Sequence, residues 1–196
     1  MKLIETRIDE IVEKHSLLNH PFYQAWEMGT LSGSALRTYA WQYSNFIGKI
    51  SEGWRACGNE EIAKEEEEHL DLWLDFAKSL GEKTEGPVIE EVSALVEGCD
   101  RSNSSLATAL GALYAFERQQ PQTSKSKLAG LRSNYAALNA DEVYFEVHEN
   151  DDEEPAMLLA MIEKLSPADQ EAALGSCEEV CELLWDALSG IQRATA

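Results

Sequence analysis

An all-α domain is predicted by three observations. Apolar residues recur at helical spacing along nearly all of the 196-residue chain. No stretch alternates apolar and polar residues long enough to argue for a strand, and helix start and stop signals fall between the periodic segments. The first helix is expected at 3–15, where the charges of MKLIETRIDE interrupt any apolar run that a secretory leader needs. The second, at 21–28, begins behind His20-Pro21-Phe22, and a long third is expected at 33–56. The fourth, at 60–80, stops at Gly81, and Gly86-Pro87 reopens the chain for a fifth at 87–98. The sixth (104–132) and seventh (140–164) carry Pro121 and Pro155, each expected to kink or split its helix. Asn139-Ala-Asp-Glu142 reads as a capping box for the seventh, and Ser166-Pro167 caps the last helix at 167–192. No linker, repeat or low-complexity tract divides the chain, so residues 1–196 are read as one domain.

Composition narrows the function classes. Sixteen basic against thirty-six acidic residues give a formal charge of −20, which repels phosphate backbones and anionic lipid, so nucleic acid and membrane are not expected partners. No segment reaches the roughly 18 apolar residues that a membrane span requires. The four cysteines, Cys57, Cys99, Cys177 and Cys181, have neither CxxC nor zinc-type spacing, and reduced thiols in a cytoplasmic protein are expected.

The acidic residues cluster in EEIAKEEEEH (60–69) and EVHENDDEE (146–154), each with a histidine. A solvated helix face is the plain reading of such runs, and a buried cation the sharper one. On a helix, Glu65 and Glu66 share a face with His69, and a Glu-x-x-His pair is how helical bundles aim a carboxylate and an imidazole at one metal ion. Either glutamate satisfies the spacing. His148 and Asp152 are likewise four apart. Glu117 lies in the apolar stretch LATALGALYAFERQQP, where an ionised carboxylate must be paired, protonated or metal-bound. Arg118 points about 100° away around the helix and is a poor partner for it. Carboxylates mixed with imidazoles suit iron or manganese better than structural zinc.

Four segments together resemble the TenA, PqqC and CADD proteins, and the CADD-like branch most. They are HPFYQAWEMGTLSGSALRTYAWQY (20–43), HLDLWLDFAKSLG (69–81), ALYAFERQQPQTSKSKLAGL (112–131) and YFEVHENDD (144–152). The resemblance implies a heme-oxygenase-like helical bundle without heme, holding two iron or manganese ions and using O2 to make 4-aminobenzoate for folate synthesis. Carried over by residue, it implies metal ligands at His69, Glu117, His148 and Asp152, with Glu65 or Glu66 as a further carboxylate. It places a self-consumed tyrosine at Tyr23, an amino-donor lysine at Lys127, and Tyr39 and Tyr43 among the aromatics beside the site. Two positions depart from the family pattern: a further histidine falls on Pro155, and the usual first glutamate falls on Ile62. The substrate is thus expected to be the chain's own tyrosine or a small aromatic molecule. Two other readings stand beside this one: a non-catalytic bundle binding an aromatic ligand or partner protein, and TenA-type thiamin hydrolysis with Cys57 as nucleophile. A homodimer through ELLWDALSGI (182–191) is a further expectation.

Overall fold

A computed structural model describes residues 3–81, 83 and 87–196. Among the described residues there are eleven α-helices, two 3-10 turns and no strand. Gly86 of the expected fifth start signal lies outside them. The helices are α1 (Ile4–Lys14), α2 (Pro21–Glu27), α3 (Gly33–Ile47), α4 (Ile50–Ala56), α5 (Glu60–Ser79) and α6 (Glu90–Ser102). They continue as α7 (Leu106–Glu117), α8 (Gln120–Asn134), α9 (Val143–His148), α10 (Glu153–Ile162) and α11 (Pro167–Thr195).

Three of the long helices expected from periodicity are each two helices in the fold. The first breaks at Gly48-Lys49. The second breaks before Pro121, which has no N–H to offer the Glu117 carbonyl four residues earlier, so α7 ends at Glu117 and the proline sits in the first turn of α8. The third breaks at residues 149–152, ahead of Pro155 in the first turn of α10. Asp151 Oδ1 accepts from the Glu153 N–H there at 3.2 Å, which satisfies one of the free donors of the new helix start. The expected capping box at Asn139 does not form. Asn139 instead ends a 3-10 turn in the left-handed conformation, with φ 48°, and Asp141 Oδ1 accepts from the Val143 N–H. Ser166 does cap α11, accepting from the Asp169 N–H. The helix expected at 87–98 is α6 and starts at Glu90, three residues after Pro87.

Packing explains the unusual composition of α7. From Ala109 to Glu117 every side chain is buried, because α11, α10, α4 and α6 surround this helix. At Gly111 the α11 backbone comes so close that a Cβ would lie 2.0 Å from the Ala173 carbonyl oxygen, so only glycine fits. On the other side of the bundle α5 packs against α3, α4 and α9, and α8 against α9 and α2. The ends of α7 and α9, the start of α10 and the middle of α5 therefore meet in the interior. The apolar face of residues 182–191 is spent inside the chain: Leu184, Ala187, Leu188 and Ile191 are buried. All four cysteines are free thiols. Among the described residues no helix is long and apolar enough to cross a membrane.

Candidate metal centre

Two overlapping groups of side chains could hold a metal ion. Glu66, His69 and His148 offer ligand atoms that all lie within 4.8 Å of one another, and so do Glu66, Glu117 and Glu154. Glu66 belongs to both and joins them. The first group is rich in nitrogen, and the second is made of carboxylates alone.

Each side chain reaches the centre for a local reason. Glu66 and His69 lie one turn apart on α5 and meet directly, with Glu66 Oε1 3.0 Å from His69 Nδ1. Glu65, the other candidate, faces solvent, and Glu66 is the one buried at this point. His148 ends α9, its Nδ1 2.6 Å from the Tyr144 carbonyl oxygen. A carbonyl only accepts, so Nδ1 carries the proton and Nε2 keeps its lone pair, within hydrogen-bond distance of His69 Nδ1 at 3.2 Å. Ring orientation by a backbone carbonyl is the usual support of a metal-ligating histidine. Burial lowers the His148 pKa to about 4, so the ring is neutral and ready to ligate.

Glu117 is 2 % exposed and ends α7, where the helix dipole is negative and opposes a carboxylate. Arg118 does not relieve it, being turned away to Asp9 at 3.1 Å. Glu117 Oε1 is buried without a hydrogen bond, as is the nearby Trp54 Nε1. Burial, then Glu154 and Glu66, push the Glu117 pKa well above the carboxylate range. Burial and then Glu66 raise Glu154 to about 8. At His69 burial works against protonation, but Glu66, then Glu154 and Asp151, raise its pKa on balance. Three clustered carboxylates with an orphaned oxygen, beside a neutral histidine that shares Glu66 with them, fit a divalent cation.

The structure corrects one of the expected ligands. Asp152 is exposed and belongs to neither group, because the chain leaves the helix after His148 and the four-residue spacing no longer sets a shared face. The same break turns Glu154 inward, with 8 % of it exposed. On a continuous helix Glu154 would point elsewhere, and only a break before Pro155, such as the one at 149–152, re-aims it. The run ENDDEEP, with helix-poor residues ahead of a proline, was the available signal.

Beside the metal centre lies a packed aromatic block. Tyr23, Tyr39, Tyr43, Trp73, Tyr144 and Phe145 are each no more than 3 % exposed. The Tyr23 and Tyr39 hydroxyls are 2.8 Å apart, and Tyr39 stacks on Tyr43 at 5.0 Å between ring centres. The Tyr43 hydroxyl makes no hydrogen bond. Lys127, 4 % exposed, places Nζ 4.6 Å from the centre of the Tyr23 ring. Burial lowers its pKa to about 7, so near neutrality much of it is an uncharged amine. Burial also pushes the Cys57 thiol up to about 12, which makes it a poor nucleophile.

A family model described as an iron-containing redox enzyme matches residues 37–185. The chain belongs to that family. Among curated relatives it is similar to a 4-aminobenzoate synthase of Chlamydia pneumoniae, 31% identical over 96% of this chain and 94% of that one. A 4-aminobenzoate synthase of Nitrosomonas europaea is 29% identical over 94% of this chain and 89% of the relative. Among solved structures, a heme-oxygenase-like domain of unknown function from Shewanella denitrificans has TM-score 0.81 at 14% identity, covering 97% of this chain and 90% of that one. A TenA homologue from Pseudomonas syringae pv. tomato has TM-score 0.78 at 16% identity, covering 97% and 93%. This member of the iron-containing redox enzyme family thus has the heme-oxygenase-like fold.

Against the pattern of the CADD-like branch, Pro155 offers no ligand atom and Ile62 is a buried apolar residue. Glu154 and Glu66 are the nearby carboxylates that reach the centre instead. Replacing Glu154 with Gln is accordingly expected to lower metal content while Asp152→Asn leaves it at the wild-type level. Elemental analysis after loading with iron and manganese checks the order, and a larger loss in the Asp152 variant would restore that residue as the ligand.

Proposed function

We propose that this protein is a metal-dependent oxidase that forms 4-aminobenzoate, taking the ring from its own Tyr23 and the nitrogen from Lys127. The observation that carries the reading is the buried contact of Lys127 Nζ with the Tyr23 ring, in the same interior as five potential metal ligands. A lysine buried among aromatic rings without a carboxylate partner is costly, and a chemical role accounts for its position. The names of the relatives point to the same product.

Under this reading Glu66, His69 and His148 hold one metal ion, and Glu66, Glu117 and Glu154 a second, iron or manganese in either position. The ions supply O2 activation. The protein's own part is to hold Tyr23 with its hydroxyl against Tyr39 and to keep the Lys127 amine uncharged above the ring. Aromatic packing around both excludes water from them. No external partner is required. Because the chain is consumed, turnover is about one per protein.

The test is mass spectrometry of protein loaded with iron or manganese and exposed to O2 and a reductant. Mass loss at Tyr23 and release of 4-aminobenzoate are expected, and Tyr23→Phe should abolish the release. An intact Tyr23 in fully metallated protein would instead favour an external substrate.

A further inference from the structure

Two buried polar atoms at the carboxylate end of the centre make no hydrogen bond: Glu117 Oε1 and the Trp54 indole Nε1. An indole N–H only donates and an ionised carboxylate only accepts, so each is the kind of partner the other lacks. Trp54 is fully buried, and bulk solvent does not answer its N–H.

The backbone keeps the two side chains together. Helix α4, which carries Trp54, packs against both α7 and α5. At Gly53 the approach to α7 is so close that a Cβ would lie 2.9 Å from Leu113 Cδ2, and Leu113 precedes Glu117 by one helical turn. The Trp54 carbonyl accepts from the Asn59 N–H at 3.0 Å, and the Asn59 side chain caps α5, the helix of Glu66 and His69. Trp54 is thus fixed against the helices that carry Glu117 and Glu66. Burial and the neighbouring acids oppose ionisation of Glu117, and the Trp54 N–H, without a closed hydrogen bond, favours it.

We propose that Trp54 is a positioning residue for Glu117: its indole N–H donates to one carboxylate oxygen and leaves the other for the metal ion held with Glu66 and Glu154. This rests on the metal reading of the centre and is independent of the fate of Tyr23. A ligand held by such an outer donor has one orientation to offer, and donors of this kind typically account for roughly 10–100-fold in metal affinity. Glu117 belongs to the carboxylate group and not to the group of Glu66, His69 and His148. Trp54 therefore serves one metal position and not the other.

Replacing Trp54 with benzothienylalanine, which has the shape of tryptophan with sulfur in place of the N–H, separates the hydrogen bond from packing. Trp54→Phe removes the same donor with a smaller ring. Metal-free protein carrying the isosteric replacement should unfold at the wild-type temperature or above it, because the N–H it loses has no partner there. Titration with Mn(II), followed by the EPR signal of the free ion, should show one position weakened by roughly 10–100-fold and the other unchanged. Wild-type affinity at both positions, or an equal loss at both, would overturn the proposal. Zn(II), which is diamagnetic, gives a reading by NMR: the indole N–H resonance that disappears in Trp54→Phe should move downfield as the wild-type centre fills. A resonance that stays in place in zinc-loaded protein would overturn the hydrogen bond while leaving the metal reading intact. Wild-type protein that binds neither ion at this centre would overturn the metal reading, and the role of Trp54 with it.

Discussion

Glu66→Ala is expected to empty both metal positions at once. Glu66 is the single side chain shared by the nitrogen-rich and the carboxylate groups, so its removal takes a ligand from each. Loss of supporting residues around metal sites typically costs 10–100-fold in affinity, and loss of a shared ligand should exceed roughly 100-fold. The effect on the metal-free protein should be small or opposite in sign, because Glu66 is among the charges that raise the pKa of Glu117 and Glu154. Thermal unfolding with and without metal separates the two. Wild-type protein should gain about 4 kcal/mol at a metal concentration 1,000 times Kd, and the variant should gain almost nothing. A variant still stabilised by metal to the wild-type extent would move the centre elsewhere.

Lys127→Met is expected to stabilise the protein while ending any supply of nitrogen. Burial lowers the Lys127 pKa from 10.5 to about 7, and no neighbouring charge offsets it. Between those values the unfolded chain holds a proton that the folded chain has released, so wild-type stability rises with pH across that window. Below it the penalty is complete. The variant lacks the penalty and should be more stable at pH 7 by about 3–5 kcal/mol, the advantage shrinking as pH rises toward 10.5. Denaturant unfolding of both proteins at pH 7 and 10 reads the difference, and titrations common to the two cancel. A variant no more stable than wild type at pH 7 would mean that the folded protein satisfies this amine, and the case for a chemically poised lysine would lapse.

Most of the centre was legible as residue types at helical spacing, and the rest was hidden by backbone breaks. Glu117 stood out because an acid inside an apolar helix has to be answered by something. His69 stood out beside Glu66, although only burial separates Glu66 from the exposed Glu65. The error at Asp152 came from extending one helix through residues 149–152, and a helix period is meaningless across a break. Pro155 was the warning. It ends the ligand pattern expected of the family and, by starting a new helix, brings Glu154 in its place.

We propose that Glu66, His69, Glu117, His148 and Glu154 hold two metal ions. X-ray diffraction at the iron and manganese absorption edges, from crystals of metal-loaded protein, tests it most directly. Two anomalous peaks are predicted, one within ligand distance of His69 and His148, the other of Glu117 and Glu154, and both beside Glu66. The claim would be contradicted by peaks coordinated by Asp152 in place of Glu154, or by none at this centre in protein that elemental analysis shows to contain metal.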